Sequence, residues 1–325
     1  MKQLFLSFSL PQRLLFIGVF FFAGYSLAIV VFQLINMMVW DIPKEEIIDL
    51  ALLEGHPHQL QIIKVLQSCS QVFGFLVAPL LFLFFFGKKS VDNYWVAKPS
   101  LTIFYLPILV ILYIPVMEVL IRFNAKIIPA GSQLESYFKP IEERAGKMIE
   151  TLLQMDGPMD LMGNLFIMAV LPAICEEFLF RGLIQGQLSK WFKNAHLGIW
   201  VTAFIFSAIH FQFYGFLPRL VLGAMFGYLL IHTGSIWTSV FAHFLHNGLS
   251  VLVMYYVSSS DQLTIEQVEQ VGTTPFQLII ILAGLAVLGY TFLQRSPWEK
   301  NKKAYLHFES SSPSTPLQKQ DHQEL

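Results

Sequence analysis

Long apolar segments dominate this sequence, and they constrain its fold more than any other feature. The hydrocarbon core of a bilayer is about 30 Å thick, so a helix needs roughly 20 apolar residues to cross it. Eight segments approach this length, and we predict that each spans a membrane as a helix. The predicted spans are residues 14–39, 62–86, 101–121, 161–182, 197–213, 216–231, 236–257 and 276–293.

The composition supports a membrane protein. Of the 325 residues, 55% are hydrophobic and 13% are charged, whereas a typical soluble domain has about 25% charged residues. The net charge of -1 gives no indication of nucleic-acid binding. We predict an all-α, polytopic integral membrane protein of about eight transmembrane helices with an intramembrane polar cavity. We expect residues 1–293 to form a single membrane domain with a motif-bearing core at about 159–257, and residues 294–325 to form a polar, mobile cytoplasmic tail.

Basic residues near the span ends predict the orientation, because cytoplasmic loops are enriched in lysine and arginine. Those that indicate the cytoplasmic side are Lys88, Lys89, Lys98, Lys190, Lys193, Arg295, Lys300, Lys302 and Lys303. Segments 41–54 and 258–269, expected on the opposite side, are acidic. Both termini are therefore expected in the cytoplasm, with Arg219 as an exception.

The long loop 122–157 contains one further structural signal. Apolar and charged residues are mixed along 135–154, which favours an amphipathic helix at the membrane interface.

A cluster of charges follows the apolar run of the fourth span. Glu176, Glu177 and Arg181 lie within six residues, and one such charge at the centre of a membrane helix costs about 2.5–3.5 kcal/mol. On a helix, Glu177 and Arg181 are four residues apart and can pair, while Glu176 lies about 100° away. The alternative to a functional site is a plain salt bridge at the membrane boundary.

Further polar side chains occur in two other predicted spans, the fifth and the seventh. His210 follows Phe206 by four residues, and His243 precedes Asn247 by four, with His246 between them. Residues four apart share a face of a helix. The alternative interpretation is helix–helix hydrogen bonding, worth about 0.6–2 kcal/mol per contact in membranes.

Together these side chains suffice for hydrolysis by an activated water. A carboxylate can take a proton from water, while imidazole or an asparagine amide can stabilise the oxyanion. No Gly-x-Ser-x-Gly or His-Glu-x-x-His motif occurs. Cys175 has no matched base in the sequence, and Ser207 is a weak candidate nucleophile. A zinc site of Glu176, His210 and His243 is conceivable in ligand type.

The three motifs occur in a fixed order: Glu-Glu-x-x-x-Arg, then Phe-x-x-x-His, then His-x-x-x-Asn. By these three motifs and their order, the sequence resembles the CPBP family of intramembrane metalloprotease-like proteins. That family includes the type II CAAX prenyl endopeptidases, the bacteriocin-processing or self-immunity proteins and the abortive-infection (Abi) proteins. The resemblance covers about residues 159–257.

The resemblance implies a role for each motif residue, with a glutamate as the general base and no metal cofactor. Under this assignment Glu176 activates water, Glu177 is the second carboxylate, Arg181 balances charge, His210 assists at the water, and His243 with Asn247 stabilises the oxyanion. A metal-dependent variant with zinc on Glu176, His210 and His243 stays open.

The sequence and the resemblance together predict an intramembrane endopeptidase that resembles the CAAX prenyl proteases. Its expected partners are a peptide or membrane-protein substrate, lipidated or not, and the lipid bilayer. Two alternatives from other classes remain: a non-catalytic membrane binding or immunity protein, and a proton-coupled transporter that uses the carboxylates and histidines as a relay.

Overall fold

The described part of the chain is built from helices, and no strand occurs in it. The structure is a computed structural model that describes residues 7–43, 55–87, 101–259 and 298–306, with scattered positions between 277 and 289. The helices in these ranges are α1 Leu10–Val39, α2 Gln59–Phe86, α3 Leu106–Ala125, α4 Gln133–Leu152, α5 158–192, α6 Ala195–Ala208, α7 Phe216–Thr233, α8 Ile236–Ser258 and α9 Trp298–Leu306.

Several of these helices are suited to a membrane. Among the described residues, α1, α2, α7, α8 and the stretch Ile103–Ala125 that includes α3 are long and apolar enough to cross a bilayer, and α6 is a shorter apolar helix. The predicted all-α polytopic membrane fold is therefore confirmed. Half of the eighth predicted span, 276–293, lies outside the described residues, and its described positions are helical.

The helix that carries the charge cluster, α5, is longer than predicted. It begins at residue 158 rather than 161 and continues to 192 rather than 182, with π-helical stretches at Leu165–Val170 and Phe180–Ile184. The sequence after 182 is polar, but Gln185 and Ser189 are fully buried against neighbouring helices. Burial against protein, rather than apolar character, keeps this last part of α5 helical.

The fifth predicted span is shorter than expected. Lys193 ends α5 in the left-handed conformation with φ 51°, and the Asn194 side chain caps α6 by accepting from the Leu197 amide at 3.1 Å. The helix ends at Ala208, five residues before the predicted end at 213. His210 therefore lies in the turn after α6.

The amphipathic segment of the long loop forms helix α4, close to its predicted position. The Ser132 side chain caps it by accepting from the Glu135 amide at 3.2 Å. The Phe138 ring stacks on that of Phe213 with centroids 4.9 Å apart. Helix α4 thus packs against the turn that joins α6 to α7.

Part of the segment predicted as a polar tail is a packed helix, α9. The Asn301 amide donates to the Ile231 carbonyl at 2.9 Å and so binds the carboxyl end of α7. The Trp298 ring contacts the His232 ring at 4.5 Å, and Tyr305 is buried. These contacts explain why nine residues of polar average composition fold onto the membrane domain.

Close packing of α1 on α2 depends on a glycine. A Cβ added at Gly24 would lie 2.3 Å from the carbonyl oxygen of Phe73 in the π-helical stretch Ser70–Leu76 of α2. Small residues allow membrane helices to approach closely. Gly24 therefore fixes the distance between these helices.

We expect Gly24→Ala to lower the Tm of the detergent-solubilised protein, because overpacking costs about 1–3 kcal/mol. Gly18→Ala is the matched control on the same helix, since a Cβ at Gly18 would meet nothing within 4 Å. Its Tm should stay the same or rise, because alanine favours helix over glycine by about 1 kcal/mol. Equal Tm values for both variants would contradict this account of the packing.

Candidate active site

The carboxylate pair lies in the interior of the long helix α5. Glu176 is the nineteenth residue of the 35 in 158–192, which places it roughly 27 Å from the amino end at 1.5 Å rise per residue. The exposed fractions of Glu176 and Glu177 are 5% and 0%. A plain salt bridge at the membrane boundary, with Glu176 reaching the lipid headgroups, does not fit the burial of Glu176.

Glu177 and Arg181 form a buried ion pair, as their spacing predicted. Arg181 Nη1 donates to Glu177 Oε1 at 2.8 Å, and both side chains are completely buried. The guanidinium lies over the rings of Phe206 and Phe226, at 4.8 Å and 5.3 Å from their centroids. The attraction of a cation to aromatic faces offsets part of the cost of removing the charge from water.

Two further hydrogen bonds connect α5 to the backbone of α7, one from Arg181 and one from Gln185. Arg181 Nη2 donates to the Gly223 carbonyl at 2.8 Å, and Gln185 Nε2 donates to the Gly227 carbonyl at 3.2 Å. A Cβ at Gly227 would lie 2.5 Å from Gln185 Oε1. The absence of a side chain at these two glycines allows α5 side chains to reach the α7 backbone.

His243 on α8 lies between the two carboxylates. Its Nδ1 is 2.9 Å from Glu177 Oε1, and its Nε2 is 4.0 Å from Glu176 Oε2. The ring stacks on Phe226 with centroids 5.0 Å apart. One imidazole thus contacts the carboxylate that is paired with Arg181 and faces the other at a distance that a single water can bridge.

Glu176 is held by a residue that the sequence analysis did not identify. Gln71 Nε2 in α2 donates to Glu176 Oε1 at 2.9 Å, across 105 positions of sequence. The sequence does contain a signal that could have identified Gln71: it is a glutamine inside an apolar predicted span, and a polar group in such a span needs a partner.

The remaining predicted histidines and the asparagine occupy different positions around this centre. His210 Nδ1 lies 2.7 Å from the Phe206 carbonyl, and Glu176 and His243 are close enough to interact with His210 electrostatically. Asn247 Nδ2 donates to the Met168 carbonyl of α5 at 3.1 Å. The His246 ring instead faces Tyr113 of α3 at 6.3 Å.

Among the described residues, no hydrogen bond joins the weaker candidate nucleophiles, Ser207 and Cys175, to a histidine. The Ser207 hydroxyl donates to the Phe216 carbonyl at 2.7 Å. Cys175 and Cys69 are buried free thiols, as expected for packing residues. Neither arrangement matches a nucleophile paired with a histidine.

A protein zinc site needs three or four ligand side chains held close together. The described residues contain no group of three His, Cys, Asp or Glu side chains that could hold a metal ion. The Nδ1 atoms of His210 and His243 both face oxygens of the protein, which leaves the Nε2 atom of each ring as its possible metal donor. The zinc site of Glu176, His210 and His243 therefore stays a prediction.

The fold and this centre define a class of protein: an all-α integral membrane protein with two adjacent buried carboxylates, an arginine and a histidine enclosed by its helices. Residues 158–249 match the family model described as type II CAAX prenyl endopeptidase, Rce1-like. This match covers α5, α6, α7 and most of α8, and it includes all three motifs. The family resemblance predicted from the sequence is confirmed for this segment.

A curated relative matches a similar length of chain. The uncharacterized protein YpbD of Bacillus subtilis (strain 168) is 28% identical over 86 residues, which is 25% of this chain and 41% of YpbD. The match thus spans less than half of that relative. No solved structure matches the chain.

We expect Arg181→Met to destabilise the protein strongly, because it leaves the Glu177 carboxylate buried without its cation. Breaking a buried pair in this way costs about 3–5 kcal/mol. Thermal unfolding in detergent measures the effect. The control is Arg122→Met, since Arg122 pairs with Glu118 at 2.6 Å but its side chain is 62% exposed. An exposed pair contributes about 0–1 kcal/mol, so similar Tm losses in the two variants would contradict a special role for Arg181.

Proposed function

We propose that this protein is an intramembrane endopeptidase in which Glu176 activates the water that attacks a peptide bond. The observation that carries the proposal is the difference between two adjacent carboxylates. Glu177 is bonded to Arg181 and His243, whereas the Oε2 atom of Glu176 lies 4.0 Å from His243. The match to a family named for its endopeptidases supports the same reaction.

In the proposed reaction a water lies between Glu176 Oε2 and His243 Nε2. Two hydrogen bonds of about 2.8 Å can bridge that separation. Glu176 takes one proton as the water oxygen attacks the peptide carbonyl, which forms a tetrahedral intermediate. The same proton then passes to the leaving amine as the carbon–nitrogen bond breaks.

The position of His243 supports a role in stabilising the oxyanion. Its Nδ1 atom lies 2.9 Å from Glu177 Oε1, so its Nε2 atom faces the opposite side, toward Glu176. We propose that the reaction uses the imidazolium form, in which Nδ1–H donates to Glu177 and Nε2–H donates to the oxyanion. A donor aimed at the developing negative charge lowers the barrier of such reactions.

Asn247 and His210 are proposed as assisting groups, as the family resemblance implied. Asn247 has two amide hydrogens, one of which bonds the Met168 carbonyl, and the other can donate to the oxyanion. A carbonyl only accepts, so the contact with Phe206 assigns the His210 proton to Nδ1. The Nε2 lone pair can then accept a hydrogen bond from the water.

An apolar cavity beside α5 supports a substrate that arrives from the bilayer. It has a volume of about 480 Å³ and includes Ala173, one helical turn before Glu177. Its lining is Ile103, Val170, Ala173, Ile174, Trp237, Val240, Phe241 and Phe244. A cavity of this composition accepts apolar side chains or a lipid chain. We therefore propose a peptide or membrane-protein substrate, lipidated or not, and no nucleic-acid partner.

The experiment that tests this function compares membrane and secreted peptidomes of cells that express the wild type or Glu176→Gln at equal levels. We expect at least one peptide or lipoprotein to accumulate uncleaved in the variant, because glutamine cannot accept the proton from water. Glu150→Gln on α4 is the matched control, since Glu150 is exposed. It should retain wild-type processing.

The other outcomes of this comparison separate the alternatives. Wild-type processing by Glu176→Gln would remove Glu176 as the base. Identical peptidomes, with a phenotype that appears only on deletion, would favour the binding or immunity protein. Substrate flux in proteoliposomes that collapses without a proton gradient would favour the transporter. We propose that no metal cofactor is needed, so cleavage that stops with a chelator and returns with zinc would contradict this part.

The proposed orientation places both termini in the cytoplasm, on the basis of the basic residues at the predicted span ends. A reporter that is active only outside the cytoplasm would contradict this orientation if it were active when fused after Leu325.

A further inference from the structure

Gln71 lies at the centre of the candidate site but outside the segment that matches the family. It belongs to the π-helical stretch Ser70–Leu76 of α2, and its exposed fraction is 5%. Short π-helical stretches within α-helices are frequent at functional sites. Here the stretch faces α5 and brings a polar side chain to Glu176.

The hydrogen bond from Gln71 distinguishes the two oxygens of Glu176. The Gln71 amide nitrogen can only donate, and it donates to Oε1 at 2.9 Å. The other oxygen, Oε2, is the one that lies 4.0 Å from His243 Nε2. One oxygen is thus committed to Gln71, and the other faces the catalytic histidine.

The packing around Gln71 holds it in this place. A Cβ at Gly74, one turn further along α2, would lie 2.7 Å from the Tyr25 ring of α1, and Gly24 contacts the α2 backbone. The Gln71 side chain is therefore fixed on a helix whose position is set by close contacts with α1. Such rigid support is what a precisely oriented catalytic group requires.

We propose that Gln71 is a positioning residue for Glu176, which orients the carboxylate so that Oε2 receives the proton from the attacking water. This inference rests on the proposed function of Glu176. It adds α2, far from the three motifs in sequence, to the catalytic apparatus. Gln71 acts through Glu176 and does not itself exchange a proton with the substrate.

The test uses purified protein in liposomes and a quenched fluorescent peptide that spans the cleavage site found in the peptidome comparison. Gln71→Met keeps the approximate size of the side chain but removes the donor. We expect kcat to fall roughly 10- to 100-fold, as for a catalytic group that is displaced by about 1 Å. KM should change little, because Gln71 does not contact the substrate.

Two further variants separate positioning from a merely structural role. Gln67→Met makes the same substitution one turn earlier on α2, at a residue that makes no hydrogen bond to Glu176, and should keep wild-type kcat. Gln71→Glu can donate to Glu176 only when its own carboxyl is protonated. Its activity relative to the wild type should therefore rise as the pH falls, which a structural defect would not produce.

The outcomes also separate this inference from the proposed function. Wild-type kcat in Gln71→Met, with Glu176→Gln inactive in the same liposomes, would overturn the role of Gln71 and leave the function standing. A loss of kcat without any pH-dependent rescue in Gln71→Glu would also overturn it in favour of a structural role. Full activity of Glu176→Gln would overturn both. If Gln71→Met is not recovered folded, the pH profile of Gln71→Glu decides alone.

Discussion

The buried ion pair between Glu177 and Arg181 is the interaction on which the rest of the candidate site depends. Neither charge is exposed, and a buried charge without its partner would be strongly destabilising. The pair is held by aromatic faces, by the Gly223 carbonyl on α7 and by His243 on α8. Helices α5, α7 and α8 are therefore packed around one neutralised pair of charges.

This arrangement gives two neighbouring residues of the same type different environments. Glu177 is committed to Arg181 and to the Nδ1 atom of His243, so it orients other groups. Glu176 points toward α2, where Gln71 holds one of its oxygens, and toward the Nε2 side of His243. The difference follows from the helix itself, because consecutive side chains diverge by about 100°.

The sequence predicted those features that depend on local spacing or on long apolar runs. Seven predicted spans correspond to described helices, and the spacing of four residues correctly paired Glu177 with Arg181. It did not show where α6 ends, because apolar residues lie on both sides of His210, whereas the helix ends at Ala208 and Phe211 takes a left-handed backbone conformation. The apolar pattern ends at residue 182, so it did not predict that α5 continues to residue 192.

Long-range contacts were beyond local sequence reasoning. The bond between Gln71 and Glu176 joins positions 105 residues apart, and only the packing of α2 on α5 brings them together. His243 and His246 belong to one short motif, but the first faces the carboxylates and the second faces Tyr113. Which neighbours surround each face of a helix is a property of the fold, so the motif alone could not separate these two histidines.

We propose that the two carboxylates have separate roles, with Glu177 in stability and Glu176 in catalysis. The most direct measurement determines the Tm and the single-turnover cleavage rate of two isosteric variants, Glu176→Gln and Glu177→Gln, in the same detergent and liposome preparations. The account predicts that Glu176→Gln keeps a Tm near that of the wild type and does not cleave, while Glu177→Gln loses Tm because its pair with Arg181 is broken. Equal Tm losses in the two variants, or cleavage by Glu176→Gln at the wild-type rate, would contradict it.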